Sequence, residues 1–158
     1  NTLSSIGNAK LYLMPAPLLP SSKELAQSMR NEASVVEISR MASLSKITVV
    51  GVGGINDNAT IIKSGLLSKN DVLYLQMQGA VGDVLSHFID QDGNIVNAEI
   101  EERLISYDLQ SLKKLNNVVG VAAGNVKVNA IRAALRGGYL DVLITDENTA
   151  LKLLEQDK

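Results

Sequence analysis

The chain has 158 residues, 46% of them hydrophobic and 20% charged, which suffices for one globular core and lies far from a disordered composition. A formal net charge of −2 without a Lys/Arg cluster argues against nucleic-acid binding by these residues themselves. The absence of cysteine excludes a disulfide framework, a thiolate metal site and a cysteine nucleophile.

Only 3% of the residues are aromatic, so the core must be built from Leu, Ile, Val and Ala. Such a core suits a parallel sheet flanked by helices. No apolar run approaches the ~18 residues of a membrane span, and no charged-then-apolar leader opens the chain. A cytoplasmic location without membrane contact is the expectation.

In chain order, Leu11–Leu13 with Met14-Pro15-Ala16-Pro17 predicts a short strand entering a Pro-stiffened loop. Ser21 with Glu24 is a capping-box pattern that opens a helix through Leu25 and Met29. A second helix is expected across Val35, Val36, Ile38 and Met41. Ile47-Thr48-Val49-Val50 reads as a buried strand, followed by a Gly-rich loop from Gly51 to Asn58. Ser68 and Asp71 form another capping-box pattern, for a helix ending at Gly79. The turn residues Asp90-Gln91-Asp92-Gly93-Asn94, with apolar neighbours on both sides, predict a small β-hairpin.

Helix around Leu109–Leu115 and strand over Val118–Ala122 come next. Gly124 and Asn125 then turn the chain into a helix whose apolar stripe carries Val128, Ile131, Ala134 and Leu135. Gly137-Gly138 stop it, Leu140–Ile144 is the last strand, and Thr145-Asp146-Glu147 caps a final helix. Strands alternating with helices over short links predict βαβ units in an α/β fold. Without repeats or low-complexity linkers, residues 1–158 are expected to form one domain.

Ligands of open α/β sheets bind beyond the carboxyl ends of the strands. The loops at Gly51–Asn58 and Ala123–Lys127 are therefore the candidates, although glycines there can also simply shape turns. The dinucleotide pattern GxGxxG is broken by Asn56, and Walker A is absent, which disfavours a nucleotide-binding oxidoreductase. Lys127 falls at the start of a helix, where a cation is mildly disfavoured by about 0.3–1 kcal/mol unless an anion sits there or its long stem carries the charge away. Asp83 stands among small and apolar residues, where a carboxylate needs partners; sugar hydroxyls would serve, and so would a capping or turn role. Asp146 reads as an N-cap, the lone His87 as structural, and Glu99, Glu101 and Glu102 as a solvated connector. HxH, HExxH and GxSxG are absent, so neither a metal site nor a catalytic residue is expected.

Four segments in order carry a resemblance: Met14-Pro15-Ala16-Pro17; Gly51-Val52-Gly53-Gly54 with Ser64-Gly65-Leu66-Leu67; Gly79-Ala80-Val81-Gly82-Asp83 with Asp90 and Gly93; and Ala130-Ile131-Arg132-Ala133-Ala134-Leu135-Arg136-Gly137-Gly138 before Leu143-Ile144-Thr145-Asp146-Glu147. Over nearly its whole length the chain resembles the sugar-binding domain of SorC-type bacterial transcriptional regulators. The resemblance implies a Rossmann-like, mostly parallel sheet with helices on both faces and a small hairpin insertion, similar to glucosamine-6-phosphate deaminase and ribose-5-phosphate isomerase. It implies a phosphorylated sugar or polyol as effector and no cofactor. Gly53 and Gly54 would line the pocket, Asp83 would accept hydroxyl hydrogen bonds beside Leu85, Gly124 would offer its backbone, and Lys127 would meet a phosphate or ring oxygen.

Where family members carry Gly-Gly this chain has Ala123-Gly124, a change that narrows backbone approach. The family's N-terminal helix-turn-helix, opening strand and phosphate-holding loop are expected ahead of Asn1, making this chain a fragment. Operator DNA would be reached through that helix-turn-helix, and a homodimer or homotetramer is expected. The rival expectation is a sugar-phosphate isomerase or deaminase on the same fold, because fold alone cannot decide function.

Overall fold

Branched aliphatic runs form the parallel strands, and the computed structural model describes residues 2–55, 60–96 and 98–155. β1 (Thr48–Gly54), β2 (Gly82–Val84), β3 (His87–Ile89), β4 (Val118–Val121) and β5 (Val142–Ile144) form one sheet in the order β3-β2-β1-β4-β5. β1, β4 and β5 are parallel, with Val49 opposite Val119 and Val119 opposite Val142. β2 runs antiparallel to β1 and to β3. The α/β expectation is borne out, and the hairpin is an extension of the main sheet rather than an appendage to it.

α1 (Thr2–Ile6), α2 (Lys23–Arg30) and α3 (Ala33–Ser43) precede β1; α4 (Thr60–Lys63) and α5 (Lys69–Met77) lie between β1 and β2. α6 (Ala98–Arg103) and α7 (Leu109–Leu112) link β3 to β4, α8 (Val128–Arg136) links β4 to β5, and α9 (Glu147–Leu154) follows. Ser68 and Asp71 form the expected reciprocal capping box of α5. At α2 the cap is one residue later than expected: Ser22, not Ser21, accepts the Leu25 amide.

α7 and α8 cover one face of the sheet. Leu109, Leu112, Ala130, Ile131 and Ala134 pack there against Val50, Val52, Val84 and Val118. Each fully buried aliphatic side chain contributes about 1.5–3 kcal/mol. Glycine is required at position 82, because a Cβ there would collide with the Cβ of Ala130 and the carbonyl of Gly53. On the opposite face, Leu75 of α5 packs with Leu67, Ala80 and Phe88 over the hairpin end. Among the described residues little covers the rest of that face: Val49, Val121, Val142 and Ile144 are 66%, 47%, 47% and 55% exposed.

Three expectations change. Leu11–Leu13 is not a strand; all three residues are exposed, and a lone three-residue segment without a neighbour to pair with has no ladder to join. Gly51–Gly54 is strand rather than loop, because pairing of Val52, Gly53 and Gly54 with Val84, Asp83 and Gly82 carries β1 through its glycines. Residues 56–59, including Asn56 and Asn58 of the expected loop, lie outside the described residues. The Asp90–Asn94 turn is present, joining the bridge between Ile89 and Ile95, but the principal hairpin reverses earlier, at Leu85-Ser86.

Candidate functional site

Where the hairpin joins the parallel strands, Gly53 of β1 stands opposite Asp83 of β2. A Cβ on Gly53 would collide with Asp83 Oδ1 and lie 2.9 Å from its Cγ, so glycine is what admits the carboxylate. Asp83 Oδ2 accepts a hydrogen bond from the Ser86 amide at 3.1 Å. Burial raises the Asp83 carboxyl above its ordinary value; the Ser86 amide, the Lys127 ammonium and His87 act in the opposite direction without cancelling it.

Asp83, Ser86 and Lys127 border a cleft of about 610 Å³ at the carboxyl end of β1. Gly51, Gly53 and Gly54 form its floor, Asp83, Leu85 and Ser86 one wall, and Val126 and Lys127 another. Leu18, Ile61, Ser64 and Leu66 complete the rim. Five of the six residues singled out in the sequence thus share one cavity. Gly124 is not among the lining residues. Its φ of +113° turns the chain out of β4 into the 3-10 turn Asn125–Lys127, and its amide donates to Thr149 Oγ1 at 2.9 Å.

Lys127 closes that turn and serves as the N-cap residue of α8. Its ammonium is near enough to Asp83 to influence it, yet forms no salt bridge with it or with any other described carboxylate. Among the described residues no carboxylate pairs with this cation, and it lies at the positive end of a nine-residue helix, where an added anion is favoured.

The remaining candidates divide. Asp146 caps α9 as expected, accepting the Thr149 amide at 2.7 Å. His87 is buried: Nε2 lies 2.9 Å from the Tyr107 carbonyl, and Nδ1 lies 2.8 and 3.0 Å from the two carboxylate oxygens of Glu101. Glu101 is therefore no solvated connector but the partner of the only histidine, placed by α6. Ser86 and Ser106 were not legible as functional, since their roles exist only once the hairpin is paired; Ser106 Oγ donates to the Leu85 carbonyl at 2.7 Å.

Chemically, the cleft offers a carboxylate for hydroxyl donors, an ammonium for an anion, and exposed glycine backbone for close approach. Asp83 and Lys127 are the titratable groups among its described lining residues. Among the described residues no group of three or more His, Cys, Asp or Glu side chains is placed to hold a metal ion, and no helix is long and apolar enough to cross a membrane.

Residues 3–155 match the family model described as "Putative sugar-binding domain". The transcriptional regulator LsrR of Klebsiella pneumoniae is 41% identical over 145 residues, covering 90% of this chain and 45% of that protein. The chain thus spans about half the length of the curated relatives it matches. A solved DeoR family transcriptional regulator from Listeria monocytogenes superposes with a TM-score of 0.90 at 26% identity, covering 96% of this chain and 62% of that one. The full-length sorbitol operon regulator SorC from Klebsiella pneumoniae gives 0.86 at 23% identity, over 96% of this chain and 49% of that chain, a likeness of fold.

Proposed function

This chain belongs to the sugar-binding domain family of SorC-type transcriptional regulators, and from that membership we propose that residues 1–158 are a single effector-binding domain that senses a phosphorylated sugar or polyol without transforming it. The observation that carries the proposal is the convergence of Asp83 and Lys127 on one cleft floored by Gly53 and Gly54. Asp83 accepts hydrogen bonds from sugar hydroxyls, which offset the burial of its charge. Lys127 and the start of α8 take the phosphate, and Leu85 packs against the carbon skeleton. The glycine floor lets a polar ligand approach main-chain groups that a side chain would otherwise cover.

The rest of the regulator, a cytoplasmic homodimer or homotetramer, supplies the helix-turn-helix that touches operator DNA. Binding acts on DNA affinity by favouring one of two pre-existing arrangements, which requires unequal effector affinity for the two. No cofactor enters this scheme. The names of the relatives, transcriptional regulators throughout, support it over an isomerase or deaminase.

Thermal shift and calorimetry of the full-length regulator against a panel of hexose, pentose and triose phosphates test the scheme, alongside an assay for turnover. Binding without turnover is expected. Turnover that disappears in Asp83→Asn would make the protein an enzyme and overturn the proposal. A hydrogen bond to a charged group is worth about 1.5–3 kcal/mol, so Lys127→Ala should weaken the phosphorylated ligand roughly ten- to hundredfold and its unphosphorylated counterpart far less. Equal loss for both would remove the anion role.

A further inference from the structure

The hairpin turn beside Asp83 is built from residues that do not favour its shape. Leu85 and Ser86 join β2 to β3 with φ of +51° and +69°. A two-residue turn left-handed at both positions normally takes Asn-Gly, because Cβ atoms crowd the backbone there. The other non-glycine residues described with positive φ are Asn8 and Asn117, a residue type that tolerates it. Leu85 and Ser86 are adjacent, and both line the cleft. Backbone strain of this kind persists only where surrounding contacts fix it.

Leu85 packs against the main core, and the side-chain hydrogen bonds that reach the turn and the residue after it from outside come from one segment. Ser106 Oγ donates to the Leu85 carbonyl at 2.7 Å, and His87, which follows the turn, is gripped by Glu101 on one ring nitrogen and the Tyr107 carbonyl on the other. The Tyr107 carbonyl can only accept, so Nε2 carries a proton and the ring orientation is fixed. Inside the turn, the Ser86 amide donates to Asp83 Oδ2. Residues 101–107 therefore clamp the turn from outside, and the turn aims the carboxylate from inside. Gly53 leaves the carboxylate its space but gives it no hydrogen bond.

We infer that Ser106 is a positioning residue of the cleft, holding the Leu85-Ser86 turn left-handed so that Asp83 faces the ligand, with the His87–Glu101 pair securing the strand that follows. This rests on the effector-binding scheme above, and deepens it: discrimination between sugars depends on a residue that does not itself line the cleft.

The test uses the full-length regulator, titrated calorimetrically with the sugar phosphate that binds the wild type and, separately, with inorganic phosphate. Ser106→Ala is expected to weaken the sugar phosphate about five- to tenfold, the worth of one net hydrogen bond, and inorganic phosphate less than twofold. Ser86→Gly added to Ser106→Ala restores most of the loss, because glycine adopts the left-handed conformation without a clamp. Sugar-phosphate affinity unchanged in Ser106→Ala, but lost in Asp83→Asn, overturns the inference and leaves the binding scheme intact. Equal weakening of both ligands, or no rescue by glycine, also overturns it by reducing Ser106 to general stability. Wild-type affinity in Asp83→Asn sinks the binding scheme itself.

Discussion

Asp83 carries a conflict between folding and binding. Its half-buried carboxyl keeps its proton to higher pH in the folded chain than in the unfolded one. Over the interval between those two pKa values the native state binds more protons, so stability falls as pH rises through it. Asp83→Asn removes the titration while keeping an oxygen for the Ser86 amide. Its melting temperature at pH 7 should exceed the wild type by a few degrees, with the gap closing as pH falls below the ordinary carboxylate range near ~3.9. Parallel pH series of thermal unfolding check this; a gap that does not depend on pH would show that burial of the charge is not the cause. Asp83 and Lys127 were legible in the sequence for a shared reason: each sits where its charge is locally unwelcome. Ser106 and Glu101 fit their surroundings as ordinary polar residues, and only the paired hairpin discloses what they hold.

At the scale of elements, the sequence signals worked where one local rule dominated. Capping chemistry located α5 and α9, and β-branched runs located β1 and β4. They failed where a neighbour decided the outcome. Gly51–Gly54 carries every mark of a loop, yet β2 lies alongside and draws it into the ladder. The sequence points to the turn-rich Asp90–Asn94 for the hairpin because Leu-Ser has no turn signal to read. That poor fit makes a prediction. Replacing Leu85-Ser86 by Asn-Gly should stabilise the isolated chain by about 1 kcal/mol, seen as a higher denaturant midpoint at constant slope. The same double variant should bind sugar phosphate more weakly, since the apolar wall at Leu85 is gone. A variant that is both less stable and unchanged in binding would contradict the account of this turn.

For the molecule as a whole, alternation of strands and helices was enough to place the chain among α/β folds, whereas the mixed direction of the sheet was not, because strand order depends on pairings remote in sequence. Nor does the sequence disclose that the described residues leave one side of the parallel strands largely exposed: Val49, Val121, Val142 and Ile144 read like any buried residues. Parallel strands are ordinarily shielded on both sides. In water, four exposed aliphatic side chains on one sheet face attract other such surfaces with a strength that grows on warming and fades in the cold. Solutions of the 158-residue chain should therefore scatter little light at 4 °C and progressively more toward 37 °C, reversibly on cooling. Val121→Lys, set in the middle of that surface, should suppress the rise while leaving secondary structure by circular dichroism unchanged. A chain that stays monomeric across the range would mean that these side chains are less available to solvent than their exposure suggests. The 158-residue chain thus stays dispersed in the cold, and temperature separates ligand effects from clustering.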